Sequence, residues 1–256
     1  MLSILVQVQV VYALALRETR TRFGQNRLGY LWALLEPALL IATFALLYKV
    51  LGRAAPDRMP IVPFLTTGFM PFILFRESSG RGMHAIDANR GLLFYPQVRP
   101  LDLIIARTSL EIATNILAFT LILAAYSAYV GTFEVADPLQ ILMGLGLAAG
   151  IGSTLGLVLC AVGVYSSAIE RIHGPLIRPL FWFSGLMYPT GQLPLRYRNL
   201  LSYNPIVHCV ELTRAGYFHR YRADHVSFAY PAMWILCLAF LGLSLERAAR
   251  RRLVLS

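Results

Sequence analysis

Charged residues vanish over long stretches of this chain and return in clusters, the pattern of a polypeptide that alternates between lipid and water. A helix needs about 20 mainly apolar residues to cross a bilayer. Six stretches are candidates: Leu28 to Tyr48, whose only charge is Glu36; Met59 to Phe75, uncharged but short; and the stretch between Glu111 and Glu134. The others are Pro138 to Ile169, with no charge; Pro179 to Leu195; and Val226 to Leu245, which ends at the basic tail Glu246-Arg-Ala-Ala-Arg-Arg-Arg. The fifth is short and carries Gly185, Pro189, Gly191 and Pro194, so it either spans with help from its neighbours or bends back.

Two further segments are amphipathic rather than apolar throughout. Met1 to Leu16 precedes its basic residues, Arg17, Arg20 and Arg22, whereas a secretory signal places positive charge first. Gln7 and Gln9 interrupt it, so residues 1–27 are expected to be a cytoplasmic interfacial segment built on one amphipathic helix. Residues 190–228 are basic, yet PIVHCVELTRAGYF has an apolar helical pattern. Backbone dips into a membrane where protein or a wet cavity surrounds it, so this segment predicts short re-entrant or surface helices, with an ordinary outer loop as the alternative. The expected fold is all-α: one polytopic domain over residues 1–256 with six transmembrane helices.

Composition agrees. Hydrophobic residues make up 57% and charged residues 14%, against roughly 25% charged in soluble domains. The net charge is +10, from 22 arginines and the single lysine Lys49 against 13 acidic residues. Such a basic chain suits nucleic acid or the cytoplasmic loops of a membrane protein, and position decides between them. Six spans put both termini on one side, which holds 15 arginines: four in the N-terminal segment, five from Arg76 to Arg107, Arg171 and Arg178, and four in the tail. The opposite side holds seven, Arg53, Arg58 and five between Arg196 and Arg222. The positive-inside rule then predicts cytoplasmic termini and no nucleic-acid role. The three cysteines, Cys160, Cys209 and Cys237, have no metal-ligand spacing and predict neither a disulfide framework nor a metal site.

Chemical motifs are sparse. His84, His173, His208, His219 and His225 are scattered without ligand spacing, no serine sits in a nucleophile elbow, and no G-x-x-x-x-G-K-[ST] loop is present. No catalytic residue is expected. Glu36 lies about 12 Å along its helix from Leu28, a depth at which an ionisable group must be paired or wet. Tyr30 and Trp32 stand at the interfacial belt. Gly24 and Gly29 mark a bend ahead of the first span. Gly146-x-x-x-Gly150 and Gly152-x-x-x-Gly156 predict close helix packing in the fourth span. Glu211 and Arg214, three apart, are placed to pair on a helix.

The string RETRTRFGQNRLGYLWALLEP carries a resemblance. Arg22-Phe23-Gly24, Leu28-Gly29-Tyr30-Leu31-Trp32 and Glu36-Pro37 resemble the opening of the permease subunit of type 2 ABC exporters, especially those for capsular polysaccharide and O-antigen. Asn204, Pro205, His208, Glu211 and Arg214 resemble that family's outer, periplasmic segment before the last span. The resemblance implies a homodimer with two separate ATP-binding subunits in which ATP and Mg act, no cofactor being expected in this chain. It also implies a lipid-linked polysaccharide substrate, a periplasmic adaptor and an outer-membrane export channel, all around the inner membrane and its lipids.

The coupling surface implied is the cytoplasmic segment 76–107, with Arg76, Glu77, Arg81, His84, Asp87 and Arg90 as contacts. The path implied uses the first and fifth spans, with Arg22, Arg27, Tyr30, Trp32, Glu36, Phe181, Trp182 and Tyr188 as its candidate residues. The alternatives are the same fold exporting an O-antigen, teichoic acid or a lipophilic drug, or a membrane enzyme acting on lipid-linked sugars. A secondary transporter would show more spans and internal repeats.

Overall fold

The computed structural model describes residues 2–23, 27–52, 56, 59–92, 98–132, 134–166, 168–223 and 225–253. Regular structure among them is helical: α1 (Leu2–Phe23), α2 (Arg27–Val50), α3 (Ile61–Met83), α4 (Pro100–Val130), α5 (Pro138–Gly163), α6 (Ala168–Trp182), α7 (Leu195–Leu201), α8 (Pro205–Tyr217) and α9 (Ala229–Leu253). Short 3-10 turns occupy Asp87–Leu92 and Thr190–Gln192.

Four described segments are long and apolar enough to cross a bilayer: Leu31–Val50, Pro100–Val130, Pro138–Gly163 and Ala229–Ala248. With α3 and α6 the bundle is compatible with six crossings. At 23 residues α3 is about 34 Å long, sufficient to span. It need not be apolar throughout because protein, not lipid, surrounds it: every residue from Pro63 to Phe75 is buried. Its polar Thr66 and Thr67 bond back to the carbonyls of Val62 and Pro63 at 2.8 and 2.9 Å, so no hydroxyl there is left unsatisfied.

The glycine spacing in α5 explains how α3 is enclosed. A Cβ on Gly152 would lie 2.5 Å from the Phe75 carbonyl oxygen, and one on Gly156 would lie 2.9 Å from the Gly82 Cα. The two backbones therefore meet over this pair, as small residues permit. The preceding pair divides differently: Gly150 faces Ile235 of α9, and a Cβ on Gly146 would meet nothing within 4 Å.

Several boundaries differ from expectation. The fourth span ends at Gly163 rather than Ile169, and the chain re-enters helix at Ala168, so Arg171 and Arg178 stand on α6 rather than in a loop. The helix at the fifth expected span is α6, Ala168–Trp182, not Pro179–Leu195. Gly185, with φ of 70°, takes the chain out of helix immediately afterwards. At 15 residues α6 is about 22 Å long, short of the roughly 30 Å hydrocarbon core. The helix of the third expected span, α4, begins at Pro100, eleven residues before Glu111, because Asp102 caps it by accepting the Arg99 amide at 2.8 Å. Arg76, Glu77 and Arg81, expected in a loop, extend α3. Of the two bend glycines, Gly29 lies inside α2, and Gly24 lies outside the described residues.

Candidate functional site

Two groups of polar contacts sit at opposite ends of the bundle, with an aromatic core between them. Phe181 of α6 enters that core, its ring centroid 5.6 Å from both Phe69 and Phe72. Trp182, one position on, turns outward and is 63% exposed. The Phe-Trp-Phe run thus divides: Phe181 packs inward, while Trp182 and Phe183 face away. Tyr188 is half-buried and donates its hydroxyl to the Trp182 carbonyl at 2.9 Å, folding the chain back over the end of α6.

At this end the motif of Asn204, Pro205, His208, Glu211 and Arg214 comes together. Asn204 caps α8 by accepting the Ile206 amide at 3.0 Å, and its amide nitrogen donates to Ser184 Oγ at 2.9 Å. Pro205 follows at the first helical position, where its missing N–H costs nothing. His208 Nδ1 accepts the Ser227 amide at 3.1 Å, so Nε2 carries the proton and donates to the Ser202 carbonyl at 2.9 Å. His208 is a strut, satisfied at both nitrogens.

Glu211 and Arg214 pair at 3.1 Å with both side chains 0% exposed. The Arg214 fork also donates to the carbonyls of Gly185 and Leu186 at 3.0 and 3.1 Å, while Glu211 accepts the Thr190 amide at 3.0 Å. Tyr221 donates its hydroxyl to the other Glu211 oxygen. Burial, then the Glu211 carboxylate, push the Tyr221 phenol well above its ordinary range, which keeps it a donor. The Arg214 guanidinium lies 4.4 Å from the Phe64 ring centre. The motif is thus a clamp that holds segment 183–190 against α3 and α8.

At the opposite end, α1 lies along the start of α4. Arg107 of α4 pairs with Glu18 at 3.0 Å and donates to the His84 carbonyl at 3.1 Å, joining α1, α4 and the end of α3. Arg17 donates to Asn89 at 3.1 Å, which ties α1 to the 3-10 turn that carries Asp87. His84 faces Glu170 of α6 at 3.5 Å, and Ser79 meets His173 of α6 at 3.1 Å. Arg81 pairs with the buried Glu111 at 3.2 Å.

Two cavities flank α3. One, of about 310 Å³, lies between α2, α3 and α4 and brings Glu36 together with Arg76, Glu77, Arg81 and Glu111. Glu36 thus lines a mixed-charge, accessible cleft, the wet setting its depth requires. The other, of about 420 Å³, lies between α3 and α6 and is lined by Arg76, His173 and Arg178 with Phe72, Phe181 and Trp182. Trp32 is 60% exposed on α2. The side chains of Arg22, Arg27, Tyr30 and Arg90 lie outside the described residues.

Sequence reasoning had no view of Thr190, Tyr221, Glu170 or Arg107 as partners, because each meets its mate only through folding. His173 did carry a signal. Residues 173, 177 and 181, and 174, 178 and 182, form two adjacent i, i+4 rows on α6.

The sequence pattern of the ABC-2 type transporter matches residues 9–218, most of the chain. The chain belongs to the ABC-2 type transporter family. Over 253 residues this ABC-2 chain is 38% identical to the polysialic acid transport protein KpsM of Escherichia coli, covering 98% of this chain and 97% of that protein. It is 34% identical to the capsule polysaccharide export inner-membrane protein CtrC of Neisseria meningitidis serogroup B, over 92% of this chain and 88% of that one. With the O-antigen export system permease protein RfbA of Myxococcus xanthus the identity is 26%, over 90% and 88%. The expected family is therefore the observed one, and these relatives are named for transport or export.

Proposed function

We propose that this chain is the permease of an ATP-driven exporter that moves a lipid-linked capsular polysaccharide across the bacterial inner membrane. The observation that carries the reading is near end-to-end similarity to capsule and polysialic acid export proteins, stronger than to the O-antigen permease. Two copies form the pathway, and two ATP-binding subunits bind and hydrolyse ATP with Mg. A periplasmic adaptor and an outer-membrane channel complete the route. Both termini face the cytoplasm, where 15 of the 23 basic residues gather. The whole chain acts as one transport domain.

The arrangement of contacts supports this division of labour. The end bearing α1, His84, Asp87 and the start of α6 receives the ATPase, and residues 190–228 sit on the periplasmic side. α2 and α6 expose large apolar side chains, Leu31, Trp32 and Leu35 on one and Leu176 and Trp182 on the other. Those faces suit a second copy and a path with aromatic walls, whose weak contacts let a sugar polymer move on. Co-purification tests the reading: an ATPase subunit is expected in one-to-one ratio with this chain, and deletion of the gene is expected to remove surface polymer. A transport-competent complex without any nucleotide-binding chain refutes it.

A further inference from the structure

The cavity between α3 and α6 differs in charge from its neighbour across α3. Three carboxylates, Glu36, Glu77 and Glu111, offset the arginines of the α2–α3–α4 cleft. Among the described residues no acidic side chain lines the α3–α6 groove; Arg76, His173 and Arg178 line it instead. Arg76 lines both cavities and gives two hydrogen bonds, of 3.2 and 2.8 Å, to Glu77, which lines the other cleft. His173 uses Nε2 with Ser79, leaving Nδ1. Among the described residues no hydrogen bond or ion pair engages Arg178, and it is exposed.

On α3, Arg76 lies one turn nearer the Met83 end than Phe72, and on α6 His173 lies two turns nearer Ala168 than Phe181. Arg76 and His173 therefore lie toward the end that the exporter reading puts in the cytoplasm, while Arg178 lies between His173 and Trp182, one turn from Phe181. Phe72, Ile177, Phe181 and Trp182 continue the groove toward mid-membrane. Gly174 leaves the groove open, since a Cβ there would meet nothing within 4 Å. The volume, about 420 Å³, falls in the range of small-ligand sites.

We propose that this groove seats the lipid end of the transported glycan: a phosphodiester against Arg76, His173 and Arg178, with the first part of an acyl chain along Phe72, Ile177 and Phe181. Guanidinium forks match phosphate oxygens, and an arginine at the membrane surface keeps its charge. Zwitterionic lipids gain less here because, among the described residues, no carboxylate lines the groove to meet their ammonium group. The proposal rests on the exporter reading and adds a place where the polymer's anchor waits beside α6, the helix that His84–Glu170 and Ser79–His173 join to the coupling end.

Trp182 lines the groove and reports on its contents. In full-length chain carrying Trp32→Phe and Trp234→Phe it is the only tryptophan. The protein goes into phosphatidylcholine nanodiscs holding a small, equal fraction of dibrominated phosphatidylglycerol or dibrominated phosphatidylcholine. The anionic lipid is expected to quench Trp182 at about fivefold lower fraction, the effect of one arginine near an anionic headgroup. Arg178→Gln brings the two lipids to parity, Arg178→Lys keeps the preference, and Gly174→Leu abolishes it by filling the groove with the charges intact. Equal quenching in the parent, or a preference that survives both Arg178→Gln and Gly174→Leu, overturns the site.

Export separates the anchor from bulk lipid. Arg178→Gln in the otherwise native chain, at parental membrane abundance, is expected to cut surface polymer about fivefold, the same single-arginine factor. Unchanged export with the lipid preference lost would mean that bulk phospholipid fills the groove, which overturns the anchor assignment. Normal polymer export in cells lacking this chain removes the exporter reading itself and leaves the quenching result standing.

Discussion

Replacing Arg214 by alanine tests the clamp most directly. Arg214 and Glu211 are both fully buried, 3.1 Å apart. Truncating the arginine leaves the Glu211 carboxylate with only Tyr221 and the Thr190 amide, and strips a donor from the carbonyls of Gly185 and Leu186. Breaking a buried pair by removing one partner costs about 3–5 kcal/mol, because an uncompensated charge stays in a medium of low polarity. Loss of the Phe64 contact adds to this, the ring lying 4.4 Å from the guanidinium. For a chain of this size the melting temperature should fall on the order of 10 °C.

The assay is thermal unfolding of the purified chain in detergent, followed by the loss of monodisperse protein. Arg214→Lys keeps the charge but not the fork, so it should fall between parent and alanine variant. Removing both partners, Glu211→Ala with Arg214→Ala, should cost clearly less than the two single losses together, because the residues form one network. An alanine variant melting within about 2 °C of the parent, less than one kcal/mol by the same scaling, would falsify the view that this pair holds segment 183–190. Strict additivity of the double variant would be equally damaging.

Four shorter predictions follow from the same geometry. Gly152→Val should cost about 1–3 kcal/mol and lower folded yield, since its Cβ would sit 2.5 Å from the Phe75 carbonyl oxygen in a packed interface; normal yield and melting would contradict the α3–α5 packing. Trp182→Ala should leave melting unchanged, the side chain being 63% exposed, while reducing surface polymer; unchanged export at normal protein level would count against an aromatic path. Arg107→Ala should lower stability by about 2 kcal/mol through loss of two charged hydrogen bonds and leave ATP hydrolysis running with less export. Hydrolysis and export that stay in proportion would dismiss Arg107, with its bonds to Glu18 and His84, as part of the coupling link. Cysteines placed near each terminus should be labelled from the cytoplasm alone, and labelling of the tail from outside would reverse the orientation.

Hydropathy alone determined that this is a helical membrane chain, because long charge-free runs such as Pro138 to Gly163 admit no other low-energy solution in lipid. The two local strings were also enough to name the family, since Arg22-Phe23-Gly24 through Glu36-Pro37 and Asn204 through Arg214 are contiguous in sequence. Boundaries were less legible. Polar residues at a helix end look like a loop until a neighbour buries them, as α5 buries the later turns of α3 and α6 meets Ser79. The aromatic run 181–183 likewise read as one feature, although adjacent helical positions point about 100° apart, so that one ring joins the core and the next leaves it. What only the tertiary structure decided is which polar groups meet: Glu211 with the Tyr221 hydroxyl and the Thr190 amide, Arg107 with Glu18, Arg81 with Glu111. Those partners lie ten to nearly ninety residues apart along the chain. Periodicity reports which face of a helix avoids water, but only packing chooses the group across from it.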